Sequence, residues 1–280
     1  MEQKLSAGSI KIYRASGDTV EVLPLQADSL DQASLQIGAG VYTVFRLYPQ
    51  GRVLRFDFHF SRLQRSAELL GIHFILTEPW LRQAIRLAIA QSGIPMPRLR
   101  LTLPASDPES VVIALEPFQP PPAYVYEEGV KAALVRGTRQ LPEAKDTAFI
   151  AARQALFGQY PGVYEVLLCD DQGFILEGLT SNFYAVLRGS LRTAGTGVLN
   201  GTARSLLLEA APSLLPVVRQ PINVSELPHL AEALLSSASR GVVPVVQIDD
   251  RSIGSGEPGL LTRQLMQAYH QRLEQELEPL

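Results

Sequence analysis

Cysteine is almost absent: Cys169 is the only one in 280 residues. No internal disulfide can form, and a reducing compartment suits the chain. Within its apolar stretch, Cys169 reads as inert core. Neither charge dominates, with 25 Lys and Arg against 28 Asp and Glu, and the basic residues are scattered rather than striped. Nucleic acid is therefore not the expected partner. No apolar run approaches membrane-spanning length, and Met1-Glu2-Gln3-Lys4 opens without an apolar signal core, so the expectation is a cytoplasmic protein with no membrane partner. In that compartment the triplets Asn200-Gly-Thr and Asn223-Val-Ser are chance glycosylation matches. GxxxxGK[ST] does not occur. Gly254–Gly259 fits GxGxxG only literally, because it follows a turn and contains Pro258,. His59, His73, His229 and His270 lack metal-ligand spacing, so no metal is expected,. There are no internal repeats and no low-complexity tract.

What is present is a 46% hydrophobic composition, enough for a substantial core and two domains. Ser9–Ala15 and Asp18–Pro24 read as strands around Ser16-Gly17, and Val41–Tyr48 with Arg52–Phe56 as a hairpin about Pro49-Gln50-Gly51. Apolar residues at helical spacing mark Phe58–Leu70, ended by Gly71; Thr77 and Pro79 open a second helix over Trp80–Ala90. With strands at Leu99–Leu103 and Val111–Leu115, residues 1–117 predict a small antiparallel-sheet domain carrying two helices. Pro120-Pro121-Pro122 cannot continue a central strand or a helix interior, so 118–128 is read as a linker. Residues 129–280 predict a larger mixed α/β domain: strand Val130–Val135, a helix from about Glu143 to Phe157, the hairpin Tyr164–Cys169/Phe174–Glu177 about Asp170–Gly173, strand Val242–Ile248 and a last helix Leu260–Leu277.

Three features carry chemistry. Lys145 sits among small and apolar residues, where burial would lower its pKa toward that of a nucleophilic amine. Glu177 is a lone carboxylate ending an apolar run. Gly195-Thr196-Gly197 leads through Gly201-Thr202-Ala203-Arg204 into a leucine-rich helix whose first N–H groups suit an anion. Taken singly, each also fits a plain structural role: a solvated lysine, a surface carboxylate. Together they match what pyridoxal phosphate needs, namely an amine, a carboxylate for the ring nitrogen and a phosphate cradle.

The motifs then resemble one family. Glu177-Gly178-Leu179-Thr180-Ser181-Asn182-Phe183-Tyr184 stands as E-G-x-x-S-N-x-[FY], and Lys145 precedes it at a similar separation. His59–Ala67 resembles H-x-x-R-L-x-x-S-A, and Gly40–Arg46 resembles G-V-F-E-x-x-R without the glutamate. Gly201–Arg204 resembles G-I-T-R, and Ser237–Val245 a second phosphate loop. These are similar to the fold-type IV, class IV aminotransferase family of pyridoxal-phosphate enzymes, which includes branched-chain and D-amino-acid aminotransferases and aminodeoxychorismate lyases. The resemblance implies that Lys145 binds the cofactor and moves the substrate proton, and that Glu177 faces the ring nitrogen. Arg62, Ser181, Asn182, Thr202, Ala203, Ala238 and Ser239 would complete the cofactor site, and Tyr42, Arg46 and Arg100 would line the substrate site. It further implies transfer of an amino group between an amino acid, branched-chain-like or otherwise apolar, and a 2-oxo acid, by a homodimer. Release of pyruvate by a lyase and a non-catalytic homologue are the alternatives. The chain departs from the family at Ala203 and Ala238, which lack the usual hydroxyl, and at Asp146–Ile150, where the branched-chain enzymes carry asparagine and tyrosine.

Overall fold

The computed structural model describes residues 10–280; Met1–Lys4, and Ser9 at the start of the first expected strand, lie outside the described residues. Two compact units divide them. The first takes the chain up to Gln119 with Ala144–Ala151 and Leu277–Leu280, and the second takes Pro120–Glu143 and Ala152–Glu276.

The first unit contains β1 (Lys11–Ser16), β2 (Thr19–Val22), α1 (Leu30–Ile37), β3 (Gly40–Arg46), β4 (Arg52–Leu54), α2 (Phe56–Leu69), α3 (Glu78–Ser92), β5 (Pro97–Pro104) and β6 (Ser110–Pro117). Its antiparallel five-stranded sheet runs β2-β1-β6-β5-β3. Strand periodicity sorts the side chains. Val41 and Phe45 join Leu63 and Ala67 of α2 and Leu81 and Ile85 of α3, while Tyr42 and Val44 join Leu30 and Ala33 of α1 on the other face. Both faces are covered, so the strands read as continuous apolar runs.

Helix α1 is a third helix where two were expected. Its signals are short but physical: Ser29 caps Gln32 N–H, Asp31 sits in the first turn, and Gly38 ends it at φ 94,.

The second difference concerns Ala144–Ala151, which the sequence reading gave to the later domain as the start of a helix. Tyr42 N–H donates to Lys145 O at 2.8 Å, Thr147 N–H donates to Gly40 O at 2.9 Å, and Val41 bridges Asp146. These extended contacts with β3 replace helical ones, so the helix begins only at Ala148. Gly40 permits the close approach on the other side, because a Cβ there would press on Leu103 O,. The expected last helix likewise stops at Gln275, and Leu277–Pro279 pairs antiparallel with β4.

The second unit contains α4 (Tyr124–Glu127), β7 (Val130–Arg136), most of α5 (Ala148–Gly158), β8 (Glu165–Cys169), β9 (Phe174–Gly178), β10 (Asn182–Leu187), β11 (Ser190–Arg192), α6 (Thr202–Ala210), β12 (Val217–Val218), β13 (Ile222–Asn223), β14 (Glu232–Ser237), β15 (Gly241–Ile248), β16 (Arg251–Ser252) and α7 (Leu260–Gln275). Val224–His229 forms a 3-10 turn ahead of β14.

Strands run β10-β14-β15-β7-β8-β9, with parallel pairs β15–β7 and β7–β8, and Asn182 of β10 pairs back to Glu177 of β9. That last pairing closes these six strands into a ring, with β11, β12, β13 and β16 attached outside it,. Leu167, Ile175, Phe183, Leu235, Val243 and Val245 fill one apolar core on its inner face. Among the described residues, no helix is long and apolar enough to cross a membrane.

Candidate active site

In the first unit the groups of interest gather about β3 and α2, with Thr43 turned to α2 and Tyr42 to the other face of the strand. Ser66 Oγ donates to Arg62 O at 2.8 Å and accepts Lys145 N–H at 3.0 Å. This fixes the lysine backbone to the helix that carries Arg62. Lys145 Nζ stands 4.9 Å from the centroid of the buried Tyr42 ring, and Arg100 Cζ stands 4.5 Å from it. One aromatic face system thus faces two cations.

Arg62 Nη2 donates to Thr43 Oγ1 at 2.7 Å and to His59 Nδ1 at 3.2 Å. A guanidinium cannot accept, so Nδ1 is unprotonated and His59 carries its hydrogen on Nε2. Thr43 Oγ1, 2.9 Å from the same nitrogen, then donates to it. Burial first, then the charges of Arg62 and Lys145, hold His59 well below its usual 6.5,. Burial also lowers Arg62 to about 10, where it remains a cation at neutral pH. Thr43 stands where the family hairpin has glutamate, so a neutral hydroxyl meets Arg62 in place of a carboxylate.

Of the three residues expected to line the substrate site, Tyr42 lies beside Lys145. Arg46 is stacked between the rings of Tyr48 at 4.1 Å and Phe118 at 4.4 Å. Arg100 is committed to α1: Nη1 donates to Leu30 O and Ser34 Oγ, both at 2.8 Å, and Nη2 to Asp31 Oδ1 at 2.6 Å. At 2% exposure, Arg100 is a bolt between helix and sheet.

In the second unit the decisive element is a bulge. Leu168 pairs with Glu177, yet Cys169 pairs with Ile175, so the register shifts between them. Ile175 therefore points into the ring core while Glu177 turns to the opposite face, beside its cross-strand partner Asn182,. There Glu177 Oε2 accepts from Leu199 N–H at 3.0 Å and Asn182 Nδ2 at 3.3 Å, and Arg139 Nη1 lies 3.4 Å from Oε1.

Asn182 Nδ2 also donates to Leu199 O at 2.8 Å, and a Cβ on Gly201 would come within 2.5 Å of Asn182 Oδ1. The asparagine thereby ties the carboxylate to the loop entering α6. That helix starts at Thr202 with no side-chain cap, an arrangement that favours a bound anion. Thr202 and Ala203 are buried in its first turn, and Ala238 and Ser239 form the half-buried turn from β14 to β15.

Ser181, expected at the cofactor, instead donates its hydroxyl to Glu165 Oε2 at 2.7 Å. Glu165, Arg139 and Ser236 are interacting groups that sequence reasoning missed, and His59, Tyr184 and Arg240, which stand inside the family-like motifs, were given no such contacts there. Glu165 was visible only as one acid in a buried strand. Ser236 Oγ lies 2.9 Å from Tyr184 Oη on the same face as Asn182. Burial pushes the Tyr184 phenol up to about 12, against the pull of neighbouring Arg204. Among the described residues no cluster of three or more His, Cys, Asp or Glu is placed to hold a metal.

The amino-transferase class IV family model matches residues 40–248. The chain belongs to the class IV aminotransferases, pyridoxal-phosphate-dependent enzymes. It is 26% identical to a putative branched-chain-amino-acid aminotransferase of Methanocaldococcus jannaschii, over 93% of this chain and 95% of that one. Its identity to a D-alanine aminotransferase of Staphylococcus epidermidis is also 26%, over 88% and 92%. Among solved structures, the branched-chain aminotransferase of Thermoproteus uzoniensis with norvaline superposes with a TM-score of 0.78 at 25% identity, covering 97% and 99% of the two chains.

The residues of this class IV aminotransferase fit its cofactor. A buried cation, a helix start without a side-chain cap and a buried carboxylate gripped by donors are the polar features a phosphate and a basic ring nitrogen require,. The fit does not depend on hydroxyls at Ala203 and Ala238, because backbone N–H groups bind phosphate without them.

Proposed function

We propose that this aminotransferase moves an amino group between an amino acid with an apolar side chain and a 2-oxo acid, with Lys145 as the catalytic residue. The observation that carries the reading is Lys145 held by Ser66 to the helix that bears Arg62 and facing the Tyr42 ring. When bound, pyridoxal phosphate supplies the electron sink that lets the substrate α-carbon lose its proton. Lys145 Nζ takes and returns that proton. Glu177 keeps a positive charge at the ring nitrogen, and Asn182 and Arg139 hold Glu177 for that task. In the first unit Arg62 is the candidate phosphate cation; in the second, the first turn of α6 and the turn Ala238–Ser239 offer backbone N–H groups to an anion. Tyr42 and Arg46 offer an aromatic, cationic surface to the substrate carboxylate.

The apolar preference is supported by relatives named for branched-chain amino acids and D-alanine. A homodimer follows from family resemblance, and a cytoplasmic location suits the single, buried thiol of Cys169.

The test is direct. Apo protein titrated with pyridoxal phosphate gains visible absorbance in the wild type and not in Lys145→Ala, and a screen of L- and D-amino acids against 2-oxoglutarate then converts apolar donors. Equal absorbance in both proteins would overturn the role of Lys145. Exclusive use of acidic or basic donors would overturn the substrate class, and sedimentation as an active monomer the dimer.

A further inference from the structure

Glu165 is wholly buried at the start of β8, where every other residue of the strand is apolar. A carboxylate in such a place is costly unless several groups satisfy it. Its Oε2 accepts from Thr180 Oγ1 at 2.6 Å and Ser181 Oγ at 2.7 Å, and Arg240 Nη2 lies 3.3 Å away. Arg240 in turn donates from Nη2 to Thr180 Oγ1 at 2.7 Å and Thr180 O at 3.1 Å, and from Nε to Ser237 Oγ at 2.9 Å. Its guanidinium lies 5.3 Å from the Tyr164 ring centroid, and Tyr126 Oη donates to its carbonyl at 2.8 Å.

The acid therefore meets two segments that are far apart in sequence. One is the turn from Gly178 to Ser181, closed by Gly178 N–H on Ser181 O at 2.8 Å and followed by Asn182. The other is the loop Ser237–Gly241. Space confirms the coupling: a Cβ on Gly178 would fall 2.6 Å from Ser181 Oγ and 2.8 Å from Glu165 Cγ. The glycine that follows Glu177 is thus required by the acid beneath it. Glu165 shares the inner face of the ring with Leu167, whereas Glu177 points to the outer face. It has no route to a ligand except through the backbone it holds.

We propose that Glu165 and Arg240 act together as a positioning pair. They lock the turn that presents Asn182 and Glu177 to the loop that presents Ala238 and Ser239, and so set the spacing at which the ring-nitrogen acid and the second phosphate loop are offered. This rests on the cofactor site of the proposed function and adds two residues to it that touch no ligand.

The test compares apo wild type with Glu165→Gln, Arg240→Met and the double variant. Dissociation constants are measured for pyridoxal phosphate by absorbance and for inorganic phosphate as its competitor, alongside thermal unfolding. Glu165→Gln keeps the shape and the hydroxyl contacts but removes the charge that Arg240 reads. Each single change is expected to weaken pyridoxal phosphate binding roughly tenfold, and the double change no further, the mark of residues acting through one contact. Folded variants with unchanged constants, or single effects that multiply in the double variant, would overturn the pair. Should Glu165→Gln not fold, Arg240→Met decides alone by the same criterion. A wild type that takes up no pyridoxal phosphate but binds phosphate would defeat the proposed cofactor site, and the pair would then be judged on phosphate affinity. Binding of neither ligand would defeat both.

Discussion

The candidate cofactor charges of the two units, Arg62 and Glu177, are held in opposite ways. In the first, a cation is gripped by neutral groups: Arg62 meets the hydroxyl of Thr43 and an imidazole kept uncharged by burial. In the second, an acid is gripped by donors: Glu177 receives a backbone N–H, an amide and a guanidinium. A cation that donates to a hydroxyl and an imidazole differs from an acid wrapped by donors, which is fixed in one orientation. The first arrangement suits ligand capture, and the second suits steady polarisation of one atom.

The contrast breaks most completely at its nucleophile. Lys145→Ala is expected to lower transamination turnover by roughly 10^4-fold while leaving the fold intact, read in single-turnover kinetics and circular dichroism. Glu177→Gln removes the charge but keeps the shape, and a loss of about 10^2–10^3 in kcat with little change in cofactor affinity is expected. Arg62→Met should do the reverse, weakening pyridoxal phosphate binding by about 10–100-fold with a smaller effect on saturated turnover.

Arg100→Met probes structure rather than chemistry. Stranding Asp31 and freeing α1 should cost about 3 kcal/mol of stability, seen as a lower Tm with unchanged cofactor affinity. The smallest effect concerns His59. Its folded value lies below 6.5, so the unfolded chain binds the extra proton. Stability is therefore complete above the unfolded value and declines as pH falls through it. Melting curves between pH 7.5 and 5 should show a decline that flattens in His59→Gln.

Much of the second unit's chemistry was legible in the chain because it is local. Glu177 to Asn182 lie within one turn, and Gly201-Thr202 announces a helix start by itself. The hairpin about Gly173 was readable for the same reason, whereas the one expected about Gly51 is not formed: β3 pairs with β5, β4 pairs with Leu277–Pro279, and only the Tyr48–Arg52 bridge joins the two arms. What escaped reading depends on contacts distant in sequence. Ala144–Thr147 has helical neighbours and pairs with β3 instead, and Glu165 looks like one acid in a strand until Arg240 arrives from another. Helix α1 was signalled by Ser29 and Gly38 but is only 8 residues long, too short for periodicity to stand out. Arg100 offered no sign of whether it faced a ligand or a helix.

The strand Leu277–Pro279 lies against β4, and Glu278 accepts the N–H of Phe56 at a separation of 222 residues. The amino-terminal sheet also takes its contact with Asp146 from the far side of a proline-rich break. A ribosome delivering this chain would thus release the first unit unfinished. Its last strand pair can close only once residues 277–279 have emerged. Contacts of such long range slow folding, and a fragment cut at Gln119 should be an incomplete fold rather than a free-standing module.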